Sequence, residues 1–172
     1  MDAIDSDCLI ILPGVYDGLG ASIARHVGCQ AIYASGGAIA RSFGLPDLGL
    51  VSMTEMAARL DTIVRAFDGP VIADGDTGYG DVQHVRRMIQ TFESAGIRGV
   101  HIEDQDFPKR CGHLDGKRLI SSSDMARKIA AAVNARESLD FLIIGRTDAI
   151  AVEGFDLAVE RAQSMVDAGA DV

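Results

Sequence analysis

Residues 71–104 read VIADGDTGYGDVQHVRRMIQTFESAGIRGVHIED, and the fold follows from this stretch. Val71–Asp74 and Gly99–Glu103 are short runs, apolar along most of their length, as parallel strands covered on both faces are. Between them Val82, Val85, Ile89 and Phe92 recur at helical spacing, and Gly96 supplies a left-handed stop before the second run. The stretch is therefore one strand–helix–strand unit. Working outward, the same alternation repeats. Leu9–Leu12, Ala31–Ala34 and Phe141–Arg146 read as further strands, and Asp17–Val27 as a helix. Ser52-Met53-Thr54-Glu55 is a capping box ahead of Met56, Leu60, Ile63, Val64 and Phe67. Met125, Ile129, Ala132 and Val133 form another helical stripe, and Phe155, Val159, Ala162 and Val166 a last one, stopped by Gly169. Repetition of this kind means an α/β fold with a parallel sheet, either doubly wound or a (β/α)8 TIM barrel. Five units are complete, and Ala170-Asp171-Val172 begins a sixth strand. A full barrel takes about 250 residues, against 172 here. The expectation is a TIM barrel truncated after about five βα units: residues 1–172 form a single partial barrel domain lacking its C-terminal strands and helices.

Composition narrows the function. The chain is 48% hydrophobic and 24% charged, enough for a packed core. Its formal charge is −9, which argues against a nucleic-acid partner, because neutralising phosphates takes a basic face. Asp supplies 19 of the 25 acidic residues. Asp is a poor helix former, so the excess points to acidic loops. Cys8, Cys29 and Cys111 are odd in number and contain no C-x-x-C, so neither a disulfide framework nor a structural zinc site is indicated. The apolar opening is too short to span a membrane and no basic region precedes it. No membrane partner and a cytoplasmic location are expected.

In both α/β architectures the chemistry collects where strands end. Asp74 and Asp76 are spaced to project together beyond one strand, and Glu103 and Asp104 close the next. Carboxylates at neighbouring strand ends repel unless a cation sits among them, and all-oxygen ligands suit Mg2+ or Mn2+ better than Zn2+. The bland alternative makes Asp74 and Asp76 turn and cap residues only. Gly75, Gly78 and Gly80 match neither a dinucleotide nor a phosphate-loop fingerprint. In the loop Pro108-Lys109-Arg110-Cys111-Gly112-His113, three cationic or ionisable neighbours stand ready to stabilise a thiolate at Cys111, against the alternative of an incidental surface thiol. Cys8 and Cys29 read as packing residues, His26 and His84 as surface residues, and His101 as a satisfied core residue. The small residues Ser35-Gly36-Gly37 leave backbone N–H groups for a carboxylate. Arg146 suits bidentate carboxylate binding, or else an internal salt bridge to Glu103 or Asp148.

Taken in order, Ser35-Gly36-Gly37, Leu45-Pro46-Asp47-Leu48-Gly49, Asp74-Gly75-Asp76-Thr77-Gly78-Tyr79-Gly80, His101-Ile102-Glu103-Asp104-Gln105, Lys109-Arg110-Cys111-Gly112-His113 and Arg146-Thr147-Asp148-Ala149 resemble the isocitrate lyase/phosphoenolpyruvate mutase family. The spacing is most like the 2-methylisocitrate lyase branch, and Cys111 points to a lyase rather than a mutase. Gly145, where Ala is usual, is a small departure. The resemblance implies a Mg2+-dependent carbon–carbon lyase that cleaves a 2-hydroxy tricarboxylate such as 2-methylisocitrate into succinate and pyruvate. It implies Asp74, Asp76 and Glu103 around the metal, and Cys111, Arg146 and His113 as catalytic residues. Ser35, Gly36, Gly37, Asp47, Gly112, His113 and Arg146 would bind substrate. Cys111 would act as the general acid on a loop that closes over the site. The partner is then a small di- or tricarboxylate, and the full-length parent a homotetramer, with this segment alone weak or inactive. The alternatives are an oxaloacetate hydrolase or 2,3-dimethylmalate lyase of the same family, or an inactive scaffold paralogue. A nucleotide-sugar transferase built on Asp74 and Asp76 is a poorer option.

Overall fold

The computed structural model describes residues 9–112 and 114–172. Five parallel strands form one sheet in chain order: β1 (Gly14–Val15), β2 (Ile32–Ala34), β3 (Val71–Asp74), β4 (Gly99–Glu103) and β5 (Leu142–Arg146). Each strand hydrogen-bonds the next in sequence, in registers such as Ala34 opposite Ala73, Asp74 opposite His101, and Glu103 opposite Arg146. A doubly wound sheet reverses its strand order at a switch point. This one never does, and right-handed crossovers in unbroken order put every helix on one side. The architecture is the arc of a (β/α)8 barrel. Beyond β5, Gly145 N–H donates to the Val172 carbonyl and Asp171 N–H to the Ile143 carbonyl, each at 2.8 Å, so the last residues lie along β5 where a sixth strand is expected.

Six α-helices accompany the sheet among the described residues: α1 (Gly18–His26), α2 (Gly36–Ser42), α3 (Met53–Ala66), α4 (Val82–Ser94), α5 (Ser122–Val133) and α6 (Phe155–Asp167). Their starts are chemically marked. Asp17 caps α1 by accepting from Gly20 N–H, and the box between Ser52 and Glu55 closes reciprocally on α3. The inner faces are those the periodicity named: Met56, Leu60 and Ile63 of α3, Val85, Ile89 and Phe92 of α4, and Met125 and Ile129 of α5 are all buried. Each such side chain contributes about 1.5–3 kcal/mol by leaving water.

Two expectations are corrected. The first strand is Gly14–Val15, not Leu9–Leu12: Leu9 and Ile11 are 87% and 73% exposed, and the ladder begins where the Pro13 carbonyl accepts from Tyr33 N–H at 3.0 Å. Pro13 has no N–H of its own to extend pairing towards the apolar run. The second correction is the face of α6. Phe155, Val159 and Val166 are exposed, while Ala158, Arg161 and Met165 are buried. Arg161 is drawn inward because its guanidinium meets Asp104 Oδ2 at 3.4 Å, the Ile120 carbonyl at 2.9 Å and both oxygens of Glu153 at 2.6 and 2.8 Å.

Candidate active site

Because every strand is parallel, β2 to β5 deliver Ser35, Asp74, Glu103 and Arg146 to the same end of the sheet. Asp74 is the best-held carboxylate there. Its Oδ2 accepts from Gly36 N–H and its Oδ1 from Asp76 N–H, both at 3.0 Å, and His101 Nε2 lies 3.3 Å from Oδ1. Gly36 is required at this contact, because a Cβ there would stand 2.7 Å from Asp74 Oδ2. Asp76 lies past the end of β3 at φ 47°, a left-handed conformation that Asp tolerates. The pleat therefore does not align the two aspartates. The turn does, through Asp74 accepting its neighbour's N–H.

Lys109 enters from the loop after β4. It is buried, and its Nζ lies 2.5 Å from Oδ1 of both Asp47 and Asp76. Asp47 in turn sits beside the first turn of α2, where a Cβ at Gly37 would be 2.7 Å from its Oδ2. One ammonium thus ties together the 45–49 loop, the end of β3 and its own loop.

A second assembly surrounds Arg146. Its Nη1 lies 3.2 Å from Glu103 Oε2 and its Nη2 3.2 Å from Asp148 Oδ1. The remaining oxygens of these carboxylates, Glu103 Oε1 and Asp148 Oδ2, accept from the Gln105 amide at 3.0 and 2.8 Å. Asp104, fully buried, accepts from the Thr147 hydroxyl at 2.6 Å and from Asp148 N–H at 3.0 Å, which fixes the turn that carries Asp148. The Cys111–Gly112 segment packs onto this assembly. A Cβ on Gly112 would stand 2.2 Å from Arg146 Nη2, and the Gly112 carbonyl accepts from Lys117 Nζ at 2.6 Å.

Burial governs the electrostatics. It is the largest influence on Asp76, which with the repulsion of Asp74 is pushed up to about 6, against the pull of Lys109. Glu103 is pushed up to about 8, again by burial first, with Arg146 and Lys109 pulling the other way. Burial opposes the charged form of Asp74 too, but His101, Lys109 and the two backbone N–H groups together hold it below the ordinary carboxylate value. His101 is held below its ordinary value by burial above all, against the pull of Asp74, and its Nδ1 lies 2.7 Å from the Tyr33 hydroxyl. Lys109 stays charged: burial works against it, and Asp76 and Asp47 override that.

A family model described as phosphoenolpyruvate phosphomutase matches residues 2–172. The chain belongs to the phosphoenolpyruvate phosphomutase family. Within it the chain is 48% identical over 171 residues to a 2-methylisocitrate lyase of Aeropyrum pernix, a match that takes in 99% of this chain and 55% of that protein. Among solved structures it is similar to 2,3-dimethylmalate lyase, with a TM-score of 0.94 and 40% identity over 99% of this chain and 58% of that one. It is also similar to a phosphonopyruvate hydrolase solved with oxalate and Mg2+, with a TM-score of 0.91 and 33% identity over 98% of this chain and 58% of that one. The chain spans a little over half the length of the curated relatives it matches.

The described residues Asp47, Asp74, Asp76, Glu103, Lys109 and Arg146 stand at one end of the sheet, in pairings that the sequence did not reveal. Ser35 caps α2, and the N–H of Gly36 holds the protein's own Asp74. Both internal ion pairs considered for Arg146 are present, and its side chain remains 37% exposed. His113 and Cys8 lie outside the described residues. Cys29 is partly buried against the core, and neither it nor Cys111 forms a disulfide. Among the described residues no three His, Cys, Asp or Glu side chains gather closely enough to hold a metal ion by themselves. Asp74, Asp76 and Glu103 are instead each met by a protein cation or N–H group. Sequence reasoning missed the part played by Gln105, a neutral side chain with no charge pattern to mark it, and the depth at which Lys109 is buried. His101 is the partnered core residue that the sequence suggested, and its ring also stands against Asp74.

Proposed function

We propose that this mouth is the metal- and lid-bearing part of a Mg2+-dependent carbon–carbon lyase acting on a 2-hydroxy tricarboxylate such as 2-methylisocitrate, with succinate and pyruvate as products. The observation that carries the reading is the packing of Gly112, the residue after Cys111, directly against Arg146, at the same strand ends as the carboxylates of Asp74, Asp76 and Glu103.

The donor set fits a hard divalent ion, since every candidate ligand is a carboxylate oxygen, and the Lys109 ammonium already stands as a cation on Asp76. Asp74 and Asp76 would hold Mg2+, with Glu103 supporting its shell and Mn2+ as a substitute. Bound there, the ion would offset the negative charge left on the 2-oxygen of the α-oxyacid half when its hydroxyl proton passes to a neighbouring carboxylate and the electron pair of the C–C bond goes to the succinate half. The exposed part of the Arg146 guanidinium, oriented by Glu103 and Asp148, would bind a substrate carboxylate. Ser35, Gly36 and Gly37, at the first turn of α2, would receive another, with Asp47 orienting the substrate and Gly112 and His113 completing the closed loop. Cys111 would give the thiol proton to the carbon that keeps the electron pair when the C–C bond breaks, and the loop above it would exclude water.

A full-length protein carrying this sequence, supplied with Mg2+ and 2-methylisocitrate, should release pyruvate. Cys111→Ser should nearly abolish release while leaving Mn2+ affinity intact, whereas Asp76→Ala should weaken that affinity. Wild-type turnover by Cys111→Ser would remove the thiol from the mechanism. The likeness to 2,3-dimethylmalate lyase favours one second reading, a lyase acting on a smaller diacid. Release of pyruvate or another oxo-acid from that diacid alone would select it.

A further inference from the structure

Gln105 occupies a place that the proposed chemistry does not yet use. It is 1% exposed, and its amide makes four hydrogen bonds. Nε2 donates towards Glu103 Oε1 at 3.0 Å, Asp148 Oδ2 at 2.8 Å and the Arg110 carbonyl at 2.9 Å, while Oε1 accepts from Arg110 N–H at 2.9 Å. The amide orientation follows from chemistry, because the reverse would turn a carbonyl oxygen onto Asp148 and the Arg110 carbonyl and set the amide nitrogen against the Arg110 N–H.

Two closed circuits meet at this side chain. In the first, Gln105 and Arg146 grip the same pair of acids: Glu103 gives one oxygen to each, and Asp148 gives Oδ2 to the amide at 2.8 Å while the guanidinium meets its Oδ1 at 3.2 Å and its Oδ2 at 3.4 Å. In the second, both backbone polar groups of Arg110, the residue immediately before Cys111, are anchored on the same amide. Between the circuits, Gly112 lies against Arg146.

We infer that Gln105 is a positioning residue that sets the Arg146 guanidinium and the Cys111 loop as one unit, so that the carboxylate-binding group and the thiol keep a fixed relation. It touches no substrate; it acts through Glu103, Asp148 and the Arg110 backbone. The catalytic meaning of the unit rests on the function proposed above, whereas the geometric coupling does not.

Gln105→Glu is the sharpest variant. It keeps the shape, removes both donors and adds a charge facing two acids. Gln105→Leu removes the same bonds without adding charge. The readout is the rate at which iodoacetamide alkylates Cys111 relative to Cys29 in the same molecule, followed by peptide mass spectrometry. Cys29 packs against the core far along the chain and reports general loosening. Both variants should change the Cys111 rate at least fivefold while Cys29 stays within a factor of two. Hydrogen exchange at Arg110 should speed up in parallel, since its N–H loses its acceptor. Equal changes at both thiols, or none at either, would overturn the inference. Failure of both variants to fold would assign Gln105 to fold stability and overturn it as well. Isothermal titration of the wild-type chain with oxalate in the presence of Mg2+ separates the two readings. A change confined to Cys111 in a chain that binds no oxalate would support the coupling and count against the proposed substrate site.

Discussion

The ammonium nitrogen of Lys109 lies 2.5 Å from Oδ1 of Asp76. The same oxygen belongs to the side chain proposed to face a divalent ion, so the lysine and the metal are rivals for one carboxylate. The second carboxylate on Lys109, Asp47, gives the ammonium somewhere to remain when the ion arrives. Since linkage between two binding events is reciprocal, metal occupancy and the seating of the Lys109 loop must influence each other.

Removing the rival charge should therefore strengthen metal binding. Lys109→Met keeps the length of the buried stem and deletes the ammonium. Mn2+ affinity, read by isothermal titration or by the electron paramagnetic resonance of free Mn2+, should rise about tenfold, which corresponds to about 1.4 kcal/mol. That is a modest part of what a close ion pair is worth near a protein surface, about 4 kcal/mol at 4 Å. Unchanged or weaker affinity would show that Lys109 supports the acidic side chains instead of competing for them. Loss of binding in Asp74→Asn would confirm that the ion titrated is the one at this mouth.

Gly36 offers a test that replaces no charged residue. A methyl at residue 36 would fall 2.7 Å from Asp74 Oδ2 and 2.9 Å from its Cγ, so Gly36→Ala must push the carboxylate away and break the hydrogen bond from residue 36. Overpacking of this kind costs about 1–3 kcal/mol. The urea midpoint should fall accordingly, and Mn2+ affinity should fall with it because Asp74 is displaced. A variant with wild-type stability and wild-type affinity would mean that Asp74 has another resting place.

Most of the fold was legible because its signals are local. β3, α4 and β4 appear where apolar period, caps and glycine stops agree, and the buried faces of α3 to α5 follow the stripes. Legibility ended where tertiary contact overrides the local signal. Leu9–Leu12 is as apolar as a strand but pairs with no strand among the described residues, whereas β1 consists of two residues without a distinctive pattern. The start of α2 is a Gly-Gly pair, poor helix formers that a propensity reading passes over. On α6 the stripe was correctly spaced and assigned to the wrong side, because Arg161 is buried by partners in the segment between β4 and α5. In the site, residue types and order were legible and pairings were not. Nothing in the sequence joins Lys109 to Asp47, or sends one Gln105 amide to Glu103, Asp148 and Arg110 at once. Those are contacts that only the folded barrel arc creates.

The glycine at residue 145 is explained by a side chain from α6. A Cβ at residue 145 would stand 2.7 Å from Met165 Sδ and 3.1 Å from its Cβ, and Met165 is buried. The larger methionine fills the space that an alanine methyl would take, so the two positions are coupled through one volume. Gly145→Ala alone should destabilise the chain by about 1–3 kcal/mol through overpacking. Met165→Ala alone should cost about 2–5 kcal/mol through the cavity it leaves. Made together, the new methyl partly refills that cavity, and the double variant should be more stable than the sum of the single losses by about 1–2 kcal/mol, within the range measured for touching residues. Urea denaturation of the four proteins closes the cycle. Strict additivity would mean that Met165 swings clear of residue 145 without cost, and that glycine there has no packing cause. The measurement also bears on the site, because Gly145 immediately precedes Arg146, and a backbone displaced there would move the guanidinium away from Glu103 and Asp148.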